Sequence, residues 1–323
     1  MGNCYTCNFN TKNIYSINPL IEYQQNQKQG NSTKTYVAIK FPHGYAGIEY
    51  CNSIKSFIHC SNINKWLSQI YQKELVNKWT NWQIYNDETA HIVNNLNTKS
   101  HHKKGHCKGI VAWNNKRISW LCHSVPNFPK MFDQNGISEI EHGELIYGQS
   151  FQYIEVDFSA DVLYKILNQL HIMEANIYLE RGVLKLENIF SEKQMIQTCN
   201  LTDTIIHVAK SPHNNIDIYS EYLAKEYPGC WQVETWIRGH HIESSSNLSL
   251  ISLDDTIIDI TGIKFENVCW TESQDHSKWA VCLTNSYYWI GDLNRMTSQY
   301  KRGGGGFICK NEDISKAFYK LIA

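Results

Sequence analysis

Two widely separated triplets, His106-Cys107-Lys108 and His276-Ser277-Lys278, carry the same chemistry at the same spacing. In an extended chain residues i and i+2 share a face. His106 and Lys108 therefore project together with Cys107 turned away, and His276 and Lys278 do so with Ser277 turned away. Two imidazoles and two ammonium groups gathered at one place suit the holding and cutting of a phosphodiester without a metal. One histidine, neutral, can attack phosphorus and form a covalent phosphohistidine. The other, protonated, can give its proton to the leaving oxygen and later take one from water. The lysines can hold the non-bridging oxygens as charge spreads over them. An unperturbed histidine titrates near about 6.5, so a neutral–protonated pair is easiest to sustain in mild acid.

One His-x-Lys alone reads as an ordinary surface strand. The repeat carries information because the tails match as well: GIVAWNNKRISWLCHSVPNFP follows the first triplet and WAVCLTNSYYWIGDLNR the second. With one gap, Trp120 aligns with Trp289 and His123 with Asp292. A duplication spanning about half the chain predicts a two-fold relation that brings both triplets to one cleft.

The elements that must position them read as interleaved strands and helices, hence an α/β fold. It consists of two pseudo-symmetric halves, each a mixed β-sheet flanked by helices. Tyr36–Pro42, Trp82–Tyr85, Cys107–Trp113, Ile118–Cys122, Gly148–Phe158, Trp231–Ile237 and the His276 segment have strand character. Ile63–Asn81, Ala160–Glu174 and Ile216–Tyr227 have helical spacing. Three segments follow: a polar, Gln/Asn-rich N-terminal stretch over 1–34, an N-terminal half over 35–159 and a C-terminal half over 160–323, the halves forming one compact unit.

With 323 residues and 42% hydrophobic content, the chain can bury a sizeable core. A formal net charge of −1 excludes an all-round basic coat, so a nucleic acid must be held in a local groove. No apolar run reaches the roughly 18 residues of a membrane span. The N-terminus lacks the basic-then-apolar pattern of a secretory signal, which favours a cytoplasmic or membrane-associated protein over a lysosomal or secreted one. Met1-Gly2-Asn3-Cys4-Tyr5-Thr6 fits N-myristoylation at Gly2 with Cys4 as a palmitoylation position; the alternative is a frayed polar terminus. The 11 cysteines are odd in number and irregularly spaced, and Cys4-x-x-Cys7 is too isolated to define a zinc or redox motif. Asn31, Asn200 and Asn247 begin Asn-x-Ser/Thr sequons.

Around the first triplet, KSHHKKGHCK (99–108) contains His101, His102 and Cys107, but the spacing matches no standard metal site. A basic loop touching phosphates through Lys104 is the expectation, and no metal or other cofactor is expected. Lys301-Arg302 before Gly303–Gly306 reads either as a phosphate contact backed by backbone N–H groups or as a flexible turn. Asp275 is adjacent to His276, and neighbours in a strand point apart, so a direct contact between them is not expected.

These motifs together resemble the deoxyribonuclease II family. The hallmark stretches are KGIVAW…SWLCHSVPNFP followed by YGQSF, and QDHSKWAV…WIGDLNR…RGGGGFIC. Weaker matches are Tyr36–Pro42, Ile84-Tyr85-Asn86-Asp87, and Ala209-Lys210 through Asp217-Ile218-Tyr219. The resemblance runs from about Tyr36 to the C-terminus. It implies the fold and paired motifs of the phospholipase D superfamily, and metal-independent cleavage of duplex DNA at acid pH to 3′-phosphate ends. It implies catalytic roles for His106, Lys108, His276 and Lys278, with His106 favoured as nucleophile by analogy. It also implies roles for His123 in HSVPNFP and Asn294 in GDLNR. Asp292, Arg295, Lys104, Lys301 and Arg302 are the expected substrate contacts. DNA is the expected partner, with little sequence preference, and a homodimer would let the family's members clamp it. Animal members of the family have cysteines where this chain has Ala280 and Ile290, while Cys309 is kept, so a usual disulfide is expected to be lost. Alternatives are a superfamily phosphodiesterase acting on lipid or RNA, or a non-catalytic DNA-binding homologue.

Overall fold

The computed structural model describes residues 33–71, 79–88, 104–133, 136–182, 195–237 and 257–323. Gly2, Cys4, Cys7, Asn31, His101, His102, His240, His241 and Asn247 lie outside the described residues, as does nearly all of the polar N-terminal stretch.

The described strands run β1 (Lys34–Lys40), β2 (Gly47–Cys51), β3 (Ser56–Cys60), β4 (Asn81–Tyr85), β5 (Gly109–Trp113), β6 (Arg117–His123), β7 (Phe132–Asp133), β8 (Gly136–Ile137), β9 (Gln149–Asp157) and β10 (Ile177–Arg181). They continue with β11 (Ile196–Asn200), β12 (Ile205–Lys210), β13 (Trp231–Glu234), β14 (Ile257–Asp259), β15 (Gly262–Phe265), β16 (Val268–Thr271), β17 (Trp279–Cys282), β18 (Tyr287–Gly291) and β19 (Gly304–Lys310). Among the described residues, one sheet has the order β10-β4-β5-β6-β9-β1-β2-β3 and a second the order β11-β12-β19-β18-β17-β13-β14. The first is antiparallel throughout; the second is antiparallel except for the parallel pair β13–β14. The mixed sheet expected for each half is therefore found only in the second.

The two sheets face each other across a shared core. Alternate residues Ile118, Trp120 and Cys122 of β6 and Tyr288 and Ile290 of β18 enter it, while Leu121 and Trp289 face outer cores. Trp120 stacks on His207 at 4.1 Å and meets Phe307 edge-on at 5.0 Å, so one indole joins the sheets. Each such aromatic pair contributes about 0.5–1.5 kcal/mol beyond its burial. Covered on both faces, β5 (GIVAW) and β17 (WAVC) are buried at every position, which explains their continuous apolar character.

Among the described residues, three helices of eight residues or more complete the layers. Helix α1 (Ile63–Ile70) is capped by Asn62, whose side chain accepts from Lys65 N, and buries Ile63, Trp66, Leu67 and Ile70. Periodicity predicts a helix over 63–81; α1 covers Ile63–Ile70, residues 72–78 lie outside the described residues, and Asn81 already opens β4. Helix α2 (Ala160–Ile172), capped by Ser159, packs on β11 and β12. Helix α3 (Glu312–Tyr319), capped by Asn311, packs on β3, β17 and β18. The segment expected as a helix over 216–227 is helical over a shorter span: a π-helix at Tyr219–Leu223 runs directly into a short α-helical turn, Ala224–Glu226.

The glycine run is neither a loop nor a flexible turn. Gly304–Gly306 begin β19, which lies between β12 and β18 inside the second sheet. A Cβ at Gly305 would collide with the Val208 carbonyl, and one at Gly306 with the Trp289 ring. The glycines are there because neighbouring chains fill the space a side chain would need.

Candidate active site

Both triplets immediately precede the strands they feed, β5 and β17, and equivalent backbone bonds fix them. His123 N–H donates to Lys108 O (3.2 Å) as Gly291 N–H does to Lys278 O (3.0 Å). Ser124 N–H donates to Ser150 O (3.1 Å) as Asp292 N–H does to Gly305 O (2.9 Å). The structural repeat thus pairs His123 with Gly291 and Ser124 with Asp292. The sequence alignment that put His123 on Asp292 is one residue out, because its gap fell in the wrong place.

The same relation crosses the halves. His106 N–H donates to Gly303 O (2.7 Å) and His276 N–H to Gly148 O (2.9 Å). Lys108 N–H reaches Asp292 Oδ1 (3.3 Å) and Lys278 N–H reaches Ser150 Oγ (3.2 Å), both across the halves but at positions that are not equivalent in the repeat. Each triplet is held by the other half's sheet, so neither can be placed without both.

Around His106 the surroundings are charged. Asp87, just beyond β4, forms an ion pair with Lys108, lies 3.8 Å from His106 Nε2 and is 3.1 Å from the Arg302 guanidinium. Burial opposes the Asp87 charge, yet Lys108, His106 and Arg302 hold its carboxyl well below the usual range. Burial also opposes the Lys108 ammonium, but Asp87 outweighs it and keeps that pKa raised. His106 is pushed well below 6.5, first by burial and then by Lys108, with Lys278 adding to the effect. Lys278 is lowered to about 7, first by burial and then by Lys108. His106 therefore feels the charge of both lysines and Lys278 that of Lys108, which brings the first triplet and Lys278 to one site.

Around His276 the surroundings are aromatic. The Tyr147 ring lies flat on the imidazole (3.9 Å, 10°) and Trp236 meets it at 4.1 Å and 51°. Lys278 Nζ turns back to His276 O at 2.5 Å. Asp275 is occupied elsewhere: its carboxylate accepts from Trp270 Nε1 and Ser277 N–H, both at 2.7 Å.

Around the two histidines the pseudo-symmetry is broken at two pairs of equivalent positions. Tyr147 precedes Gly148 as Arg302 precedes Gly303. Asp87 stands two residues past Tyr85, which pairs with Gly109, and Trp236 two past Glu234, which pairs with Trp279. Asp87 with Arg302 thus surrounds one histidine and Trp236 with Tyr147 the other.

The remaining expected residues divide. Asp292 lies inside the site, its Oδ1 accepting from Lys108 N–H and the Cys122 thiol (3.6 Å), and burial raises its carboxyl to about 7. His123, buried at the end of β6, packs edge-on to Phe128 and is lowered to about 3, mainly by burial. Asn294 is buried with its N–H on Gln299 Oε1 (2.8 Å). Arg302 reaches Asp87, and its Nε donates to Lys104 O (2.9 Å), while the Lys104 and Lys301 side chains are exposed. Arg295 departs from the expectation of a substrate contact. It is buried, with Nε on Asp217 (2.9 Å) and Nη1 on Asp259 (2.5 Å), so its charge is committed within the fold.

Sequence reasoning did not assign Asp87, Tyr147, Trp236 or Glu234 to the site. Asp87 had a signal, lying in the Ile84-Tyr85-Asn86-Asp87 match. Glu234 is buried at the end of β13 and pushed well above the carboxylate range by burial, then by Asp275. Among the described residues, no group of three or more His, Cys, Asp or Glu is arranged to hold a metal ion, and the described cysteines are free, Cys309 included. No described helix is long and apolar enough to cross a membrane.

Deoxyribonuclease-2-beta of Mus musculus is 31% identical over 287 residues, covering 81% of this chain and 75% of that protein. Cell-death-related nuclease 7 of Caenorhabditis elegans is 26% identical over 280 residues, covering 79% and 71%. A putative deoxyribonuclease-2 of Burkholderia thailandensis is 26% identical over 261 residues, covering 74% and 70%. The family profile for deoxyribonuclease II matches residues 14–323. With two cross-stitched His-x-Lys triplets inside that span, the chain belongs to the deoxyribonuclease II family.

Proposed function

We propose that this protein is an endodeoxyribonuclease that cleaves DNA without a metal in mild acid, through a phosphohistidine on His106. The observation that carries the reading is the His106 hydrogen bond. Its Nδ1 lies 2.7 Å from the Asp292 backbone oxygen. A carbonyl only accepts, so Nδ1 is the donor and the neutral ring keeps its lone pair on Nε2. A ring pushed well below 6.5 stays neutral in mild acid and remains a nucleophile there.

His106 Nε2 attacks phosphorus, the bond to the 5′ oxygen breaks, and protonated His276 supplies that oxygen's proton. Water then attacks phosphorus, gives its proton to His276, and the P–N bond breaks, leaving a 3′-phosphate and both histidines restored. Lys108 and Lys278 hold the non-bridging oxygens. Lys278, at about 7, becomes fully charged only below neutrality, so anion binding strengthens as pH falls while His106 stays unprotonated. The names of the relatives support DNA as substrate.

Supercoiled-plasmid cleavage across pH with excess EDTA tests this. Cleavage that rises below pH 7, survives EDTA and is lost in both His106→Ala and His276→Ala is expected. Cleavage that needs a divalent ion, or that persists in either variant, overturns it.

A further inference from the structure

A second repeat, Lys-x-Pro-His, is hidden in the fold. Lys40-Phe41-Pro42-His43 ends β1 and Lys210-Ser211-Pro212-His213 ends β12. Lys40 pairs with Gln149 of β9, and Lys210 with Gly304 of β19, at equivalent register. Both lysines are fully buried, and among the described residues neither has a carboxylate at ion-pair distance. Backbone oxygens surround them instead. Lys40 Nζ donates to Phe41 O (2.8 Å), Gly44 O (3.2 Å) and Leu145 O (2.9 Å). Lys210 Nζ donates to Ser211 O (3.4 Å), Asn214 O (2.9 Å), Tyr300 O (2.8 Å) and Arg302 O (2.7 Å). A buried ammonium is costly unless several such bonds satisfy it, and burial lowers both lysines to about 8.

What the ammoniums grip is specific. The segment holding Leu145 continues to Tyr147, whose ring lies on His276, and to Gly148, whose oxygen takes the His276 N–H. The segment holding Tyr300 and Arg302 carries the guanidinium that meets Asp87 beside His106. It then reaches Gly303, whose oxygen takes the His106 N–H.

We propose that Lys40 and Lys210 are a pair of positioning residues, each fastening the segment of its own half that docks on the other half's histidine. Lys210 sets His106 and Lys40 sets His276. The consequence for cleavage rests on the reading of the two histidines as the reacting pair; the positioning itself does not.

The test uses Lys40→Met and Lys210→Met in the full chain, with Lys40→Gln and Lys210→Gln as milder variants that keep N–H donors. Two quantities are measured: the imidazole NMR signals of His106 and His276 without DNA, assigned from His→Gln variants, and the single-turnover cleavage rate. Lys210→Met is expected to move the His106 signal and leave that of His276, and Lys40→Met to do the reverse. Either variant is expected to slow cleavage roughly 10- to 100-fold, the scale of a 1 Å misplacement, with the glutamine variants recovering part of the rate. If a methionine variant fails to fold, its glutamine counterpart is expected to give the same selective signal shift. Folded variants in which neither signal moves, or both move alike, overturn the proposal. Selective shifts with cleavage unaffected by His106→Ala would leave the positioning intact and remove the nuclease mechanism instead.

Discussion

Asp87 is the residue on which the first triplet depends. It neutralises Lys108, approaches His106 and receives Arg302 from the other half. Removing one member of a buried, hydrogen-bonded charge cluster leaves the others uncompensated, at a cost of about 3–5 kcal/mol. Asp87→Asn is therefore expected to lose stability of that order in denaturant unfolding and to abolish most cleavage; unchanged stability would mean the cluster is solvated. Asp292 gives a prediction in pH. Its carboxyl titrates at about 7 when folded, above the ordinary 3.8, so the folded state holds a proton that the unfolded state has released. Its contribution is fully present below about pH 4 and is lost as pH rises to about 7. Asp292→Asn should therefore gain on the native protein in unfolding measurements between pH 4 and 7. A constant difference across that range would contradict the burial of its charge. The triplets were legible in the sequence because the same residue types recur at the same spacing. Tyr147 and Trp236 were not, since only strand pairing brings them to His276. Arg295 looked like a substrate contact beside Asn294 because sequence cannot show Asp217 and Asp259 arriving from other elements.

At the scale of elements, β19 is the clearest case of a motif whose meaning changed with its neighbours. Four consecutive glycines favour a turn on conformational grounds, but Gly304–Gly306 form part of an inner strand whose flanks approach too closely for side chains. Gly305→Ala is expected to unfold or strongly destabilise the protein, read by thermal melting, and not merely to weaken DNA binding. A stable variant with only reduced binding would restore the phosphate-contact reading. Strand positions were largely legible because alternation and continuous apolar runs report burial directly. Helix ends were less so: apolar residues continue past Ile70 at helical spacing, and nothing in that spacing marks the end of α1.

For the whole molecule, duplication explains why the site lies between the sheets. Each half supplies one triplet and the contacts that hold the other, so the site exists only when both sheets are paired. On the proposed reading DNA is held mainly through its backbone, which implies binding that weakens steeply with salt and depends little on sequence. A KM that rises sharply between low and physiological salt, similarly for unrelated duplexes, is the expected result; salt-insensitive, sequence-selective cleavage would contradict it. The central claim, that His106 attacks phosphorus while His276 serves the leaving oxygen, is tested most directly by trapping the covalent intermediate. A thymidine 3′-(p-nitrophenyl phosphate) substrate has a leaving group that needs no proton. With it, His276→Ala is expected to release one p-nitrophenolate per site in a burst and to accumulate nucleotide linked to His106, identified by mass spectrometry at neutral or alkaline pH. Label on another residue, or a burst that survives His106→Ala, would contradict the assignment.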